Sequence, residues 1–262
     1  MLFDSHAHLD DEQFDADRDA LITGLPARGI SYVLNAGDSL ASSGRAVELA
    51  EKYDFIYAAV GIHPHEAVRM KEEDLKALAE LVRHPKVVAI GEIGLDYHYD
   101  DSPRDVQKKR FVDQLELSSE ENLPVIIHDR EAHGDMLDLL KSHQPARGKC
   151  VMHSYSGSWE MAKVLLDMGC LLSLGGPVTF KNAVKAAEIA EKIPLESLLI
   201  ETDSPYLTPH PYRGRRNDPG MVRLVAERIA QIRGMEYNEV ARITLENACR
   251  FFGIRSSAEH QG

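Results

Sequence analysis

Cysteine is scarce. Cys150, Cys170 and Cys249 are the only three in 262 residues. Their odd number and wide spacing offer neither a disulfide framework nor a CxxC zinc pattern, so they read as buried, reduced thiols of a cytosolic protein. Basic charge is also in short supply. With 30 Lys and Arg against 42 Asp and Glu, the net charge is −12, which excludes a surface that coats nucleic acid by bulk charge. No apolar run approaches the roughly 20 residues that a membrane helix needs. No basic segment followed by an apolar one opens the chain. The expectation is a soluble, cytoplasmic protein without a membrane partner. Phosphate-binding glycine loops are missing too: no GxGxxG follows the first strand, and no GxxxxGKS or GxxxxGKT occurs. No linker rich in Pro, Gly or Ser divides the chain, and no low-complexity segment interrupts it.

What the chain does have is alternation. Eight short apolar runs recur: "LFDSH", "SYVLNAG", "IYAAVGIH", "VVAIGEIG", "PVIIHD", "KCVMHS", "LLSLGG" and "LLIETD". Several are continuously apolar, as strands buried on both faces are. Helical patterns separate them. Leu75, Leu78, Ala79 and Val82 form one stripe, and Val222, Val225, Ala226 and Ile229 another. Asn238 is the expected N-cap of a last helix running to Phe252, with Gly253 as its stop. About eight strand–helix repeats in a chain of this length predict an α/β fold of the (β/α)8, TIM-barrel type, as one domain over 1–262.

In such a barrel, chemistry gathers at the C-terminal ends of the strands. There the sequence places Asp4, His6 and His8 after strand one, His63 and His65 after strand three, and Glu92 on strand four. His128 ends strand five, His153 strand six, and Glu201 and Asp203 strand eight. Residues i and i+2 of a strand share a face, so His6 and His8 aim together as a two-toothed clamp for a divalent transition metal. Glu92 lies between Ile90 and Ile93. A carboxylate buried alone there costs several kcal/mol, so it must be paired or bound to metal. Six donors, His6, His8, Glu92, His128, His153 and Asp203, exceed what one catalytic zinc takes from protein. They suit two divalent ions sharing a bridging carboxylate, an arrangement that clamps attacking and leaving oxygens in phosphoester hydrolysis. Zn, Mn, Co and Fe fit the mixed ligation, and Mg fits less well.

The stretches "DSHAHLD", "GIHPH", "GEIGLDYHYD", "PVIIHDREA", "HSYSG" and "IETDSPYLTP", followed by "RGRRNDPGMV", resemble the TatD family of metal-dependent deoxyribonucleases, within the amidohydrolase-like barrels. The resemblance runs from Asp4 to about Gly253. It implies a metal-bearing TIM-type barrel in which His6, His8, Glu92, His128, His153 and Asp203 hold the metals. It also implies cleavage of DNA, typically from the 3′ end, and a role in DNA repair or degradation.

Asp203 and Glu92 are the expected catalytic carboxylates, with Asp203 placed to take a proton from water. His65 is expected to contact a phosphate or protonate a leaving oxygen, whereas His63 reads as a hydrogen-bonded loop residue beside Pro64. Asp96 is placed to orient a ligand histidine. Arg130, Arg213, Arg215 and Arg216 are the expected phosphate contacts, and Tyr97, Tyr206 and Tyr212 are candidates for stacking on bases. The substrate expected is DNA, single-stranded or at its 3′ ends, acted on by a monomer. The competing reading is hydrolysis of small esters or amides, or of aminoacyl-tRNA esters, on the same barrel. A metal-stabilised binding protein without catalysis stands third.

Overall fold

Each of the eight apolar runs becomes a strand. The computed structural model describes residues 1–143, 145 and 149–255. In chain order its strands are β1 (Leu2–Ala7), β2 (Ile30–Ala36), β3 (Ile56–Val60), β4 (Val87–Asp96), β5 (Val125–Arg130), β6 (Cys150–Met152), β7 (Leu171–Leu174) and β8 (Leu198–Ile200). They form one parallel sheet in the order β1-β2-β3-β4-β5-β6-β7-β8. The helices α1 (Arg18–Gly24), α2 (Leu40–Lys52), α3 (Glu72–Val82), α4 (Arg104–Glu120), α5 (His133–Ser142), α6 (Trp159–Asp167), α7 (Val184–Lys192) and α8 (Val222–Arg233) follow the strands in turn, and α9 (Tyr237–Phe252) ends the series. The fold is the TIM-type barrel that the alternation predicts. Among the described residues, no helix is long and apolar enough to cross a membrane.

The two stripes read from the sequence lie on α3 and α8, and Gly253 stops α9 in the left-handed region at φ 67°. The expected cap needs correction: Glu236, not Asn238, occupies the N-cap, and its carbonyl accepts from the N–H of Glu239 and Val240. Cysteine needs a second correction. Cys150 and Cys170 form a disulfide, and Cys249 lies buried outside it. The pair is separated by 20 residues in sequence, but parallel pairing of β6 with β7 brings their starts side by side.

The seam between β1 and β8 closes the barrel where the chemistry sits. Beyond Ile200 the chain continues alongside β1: the N–H of Asp203 donates to the His6 carbonyl at 2.9 Å, and the N–H of His8 to the Ser204 carbonyl at 2.7 Å. Buried Asp4 stitches the same seam, accepting from the Thr202 N–H at 2.8 Å and from its hydroxyl at 2.5 Å. Burial holds the Asp4 carboxyl well above the usual carboxylate range, although both Thr202 bonds oppose this. Between β4 and β5, Gly94 takes φ 150° with its α-carbon against the His128 backbone, where a Cβ would overlap the His128 carbonyl oxygen. That close approach lets β4 and β5 present Glu92 and His128 together.

Candidate metal centre

The inward-facing ends of β1, β4, β5, β6 and β8 converge on Glu92. Its two oxygens face different partners. Oε2 lies 3.3 Å from His6 Nε2 and 3.6 Å from His8 Nε2. Oε1 lies 2.7 Å from His128 Nδ1 and 2.8 Å from His153 Nε2. On the first side, Asp203 Oδ1 completes the group at 3.4 Å from His8 Nε2 and 3.8 Å from His6 Nε2. On the second, His128 Nδ1 and His153 Nε2 are 3.3 Å apart. Among the described residues, three groups able to hold a metal ion meet here: His6, His8 and Asp203; His6, His153 and Glu201; and His63, Glu92 and His128.

The outer ring atoms decide which nitrogens are offered inward. His8 Nδ1 donates to the Ala36 carbonyl at 2.9 Å, since a carbonyl can only accept, so in the neutral ring that binds metal the Nε2 lone pair faces Glu92 and Asp203. His153 Nδ1 sits 3.2 Å from Glu201 Oε1, which also accepts from the Ser154 N–H at 2.7 Å. Asp96 Oδ2 accepts from His128 Nε2 at 3.1 Å and His65 Nε2 at 3.0 Å, while its Oδ1 accepts from the N–H groups of His98 and Tyr99. These are the outer-shell contacts that fix ligand imidazoles in metal enzymes. Asp96 thus takes the orienting position read from the sequence.

His63 is buried at the same site, with Nε2 3.5 Å from Glu92 Oε1. Its Nδ1, however, accepts the His65 N–H at 3.2 Å. In the neutral ring the proton then sits on Nε2, so His63 offers Glu92 a donor rather than a lone pair. His63 makes a hydrogen bond beside Pro64, as expected, and its place against Glu92 had no signal in the sequence.

The electrostatics follow from packing these groups together. Burial works against charge on Glu92, yet His153, His63 and His6 around it hold its carboxyl well below the usual range. Asp203 is lowered despite burial, chiefly by its bond to His8. Burial also opposes charge on His8, but Asp203 and Glu92 push its pKa up to about 10. His153 is raised well above the ordinary value by Glu92 and Glu201 against the same burial, while burial and the neighbouring His153 lower His6. Without metal, protons on imidazole balance the carboxylates. A divalent cation fits the same positions, because the converging atoms are imidazole nitrogens and carboxylate oxygens, the donor set of borderline transition ions.

The cluster forms the floor of a cavity of about 1630 Å³. His65, Arg130 and Arg213 line it, as do Tyr99, Tyr206, Lys181 and Lys185. Arg130 stacks on Tyr99, 4.7 Å from its ring centre, and Arg213 on Phe180, 3.8 Å away. Arg215 and Arg216 are not brought into this cavity. They line a smaller neighbouring one, and Arg216 is paired with Asp17 at 2.6 Å while donating to the Gln13 carbonyl. Tyr97 donates to Asp135, and Tyr212 lies exposed outside the large cavity; only Tyr206 of the three tyrosines lines it. Sequence reading missed Lys181 and Lys185, which are four apart in "TFKNAVKAA" and gain meaning only when the chain after β7 folds over the mouth.

The family model described as TatD related DNase matches residues 3–253. The "Uncharacterized metal-dependent hydrolase YabD" of Bacillus subtilis (strain 168) is 50% identical over 254 residues, covering 97% of this chain and 100% of that protein. The "3'-5' ssDNA/RNA exonuclease TatD" of Escherichia fergusonii is 35% identical, covering 97% and 99%. Among solved structures, the TatD homologue YJJV of Escherichia coli K12 superimposes with a TM-score of 0.92 at 31% identity, covering 97% of this chain and 98% of that one.

Proposed function

The chain belongs to the family of TatD-related DNases, metal-dependent hydrolases on a TIM-type barrel, and from that premise we propose that it shortens single-stranded DNA from the 3′ end. The observation that carries the reading is the division of imidazoles and Asp203 between the two oxygens of Glu92. His6, His8 and Asp203 would hold one divalent ion, His128 and His153 a second, and Glu92 would reach both. Such ions supply charge stabilisation at the phosphoryl oxygens and a lowered pKa for water. The 35% identical relative, named for 3′–5′ cleavage of ssDNA and RNA, supports the substrate and the direction.

The residues of the chain then have distinct tasks. Asp203, kept ionised beside His8, takes the proton of the attacking water. As oxygen adds to phosphorus, the bond from phosphorus to the O3′ of the preceding nucleotide breaks. The shortened strand keeps a 3′-hydroxyl, and the terminal nucleotide leaves with its 5′-phosphate. His65, half-buried and anchored through Nε2 to Asp96, supplies the proton to the departing O3′ from its other ring nitrogen. Arg130 and Arg213, which both line the cavity, hold the phosphates of the strand. Cationic side chains on an open cavity favour a polyanion over a small neutral ester or amide.

Purified protein stripped with EDTA and resupplied with Mg, Mn or Zn should shorten 5′-labelled single strands stepwise. Glu92→Ala should not. Folded, metal-loaded protein that leaves such strands intact under every metal would contradict the nuclease reading and return the ester and amide substrates to first place.

A further inference from the structure

Among the described residues, three tyrosines line the large cavity, and they differ in what they offer it. Tyr155 is buried and donates to the Ser158 carbonyl at 2.7 Å. Tyr206 stands against His8, with ring centres 6.2 Å apart, and donates to Asp11 at 2.6 Å. Tyr99 belongs to the His128 side of Glu92. Its ring meets that of His65 almost at a right angle, 5.3 Å between centres, and His65 shares Asp96 with His128. Tyr99 is 56% exposed, although Arg130 lies over its ring at 4.7 Å.

Asp96 ties this exposed ring to the metal cluster. Its Oδ1 accepts from the N–H groups of His98 and Tyr99, both at 2.9 Å, while its Oδ2 faces the rings of His65 and His128. One carboxylate therefore sets both the turn that carries Tyr99 and the imidazoles beside the reacting phosphate. Gln107 pins the same turn: its Oε1 accepts from the Asp96 N–H at 2.8 Å, and its Nε2 donates to the carbonyls of Asp96 and Ser102 at 3.0 and 2.8 Å. Ring and guanidinium are in place before a substrate arrives, which lowers the ordering cost of binding. An aromatic ring joined to a flat guanidinium is a surface for a nucleobase, through stacking and cation–π attraction.

The roles of Asp203 and His65 say which base comes here. Asp203, on the His8 side, takes the proton of the attacking water, and His65 gives one to the departing O3′. Attack and departure lie on opposite sides of phosphorus in an in-line displacement. The penultimate nucleotide, which keeps that O3′, is therefore the one beside His65 and Tyr99. We propose that Tyr99 and Arg130 form a stacking platform for the base of the penultimate nucleotide and so hold the departing O3′ at His65. This rests on the 3′ nuclease reading above and adds which base the enzyme grips. Every base has a π face, so the grip tolerates any sequence. Inside a duplex both faces of a base are covered by its neighbours, so the platform selects an unpaired end.

The test uses three 5′-labelled single strands: one intact, one lacking the penultimate base, and one lacking the 3′-terminal base. For removal of the first nucleotide by wild type, loss of the penultimate base should lower kcat/KM about tenfold, and loss of the terminal base by less than about threefold. Tyr99→Ala should lower kcat/KM on the intact strand about tenfold and show no further drop when the penultimate base is missing. Tyr99→Phe, which keeps the ring, should recover most of that loss. Wild type that is indifferent to the penultimate base, or equally sensitive to the terminal one, overturns the platform while the nuclease reading stands, and needs no variant to be seen. A folded Tyr99→Ala that keeps the full penultimate penalty, or a Tyr99→Phe no better than Tyr99→Ala, overturns it too. Wild type that shortens none of the strands overturns the nuclease reading, and the platform with it.

Discussion

At one end the barrel interior is filled with carbon, and at the other with nitrogen and oxygen. Beneath the site, Phe3, Leu34, Ala59, Ala89, Ile126, Val151 and Leu199 point inward and pack on Ala248, Cys249 and Phe252 of α9. Above them, His6, Glu92, His128, His153 and Asp203 occupy the mouth. The same strands supply both. On β5, Ile126 belongs to the plug and His128, two residues on, to the site. A period of two along a strand is enough to change from stabilising burial to costly polar clustering within one pleat. The plug gains free energy from apolar area removed from water, at about 25 cal/mol per Å². The mouth offsets part of that gain by crowding imidazoles and carboxylates out of water.

This contrast sets what each end should lose when broken. The largest effect belongs to the mouth. Glu92→Gln should lower hydrolysis by at least about a thousandfold, roughly 4 kcal/mol of transition-state stabilisation, while its melting temperature stays near or above that of the metal-free wild type. Rates and calorimetry on the same preparation separate the two. At the plug, Phe252→Ala should cost about 3–5 kcal/mol of stability and leave the rate per folded molecule unchanged; urea unfolding with activity measured well below the transition checks this. A plug variant that loses activity while fully folded would erase the distinction between the ends.

Intermediate effects should come from the residues holding the imidazoles. Glu201→Gln should weaken metal binding by about 10- to 100-fold, read by competition with a chelating dye. Arg216→Ala should change cleavage by no more than about twofold, because its exposed pairing with Asp17 keeps it away from the cavity, whereas Arg213→Ala should raise KM.

Protons provide a further test of the mouth. His8 titrates near 10 in the metal-free fold, above its unfolded value. It therefore stabilises that fold fully below about pH 6.5, and the contribution disappears as pH rises through about 10. Metal must displace the same proton, so loading near pH 7 should release protons and tighten as pH rises. Calorimetry in buffers of different ionisation enthalpy measures the release.

Much of this was legible in the chain because strand ends in a parallel barrel all point to one place. The apolar runs located the eight strands, and the polar residue that followed each apolar run located His6, His8, Glu92, His128, His153 and Asp203. What escaped depended on contacts between distant segments. Cys150 and Cys170 meet only because β6 and β7 pair. Lys181 and Lys185 are an unremarkable pair four apart until the segment after β7 brings both to the cavity. Arg213, Arg215 and Arg216 form one basic cluster in sequence and all line the smaller cavity, but across the turn in which Gly214 takes φ 85° only Arg213 also reaches the large one. Glu201 carried no signal of its own beyond its place at the end of β8, and its role appears only from the imidazole it faces.

The central claim is that one carboxylate joins two metal positions at the mouth. Titrating metal-free protein with Mn or Zn, and counting bound equivalents in wild type and Glu92→Gln, tests it most directly. The account predicts two equivalents in wild type and the loss of at least one in the variant, with its fold retained. Two equivalents bound equally tightly by Glu92→Gln would contradict it.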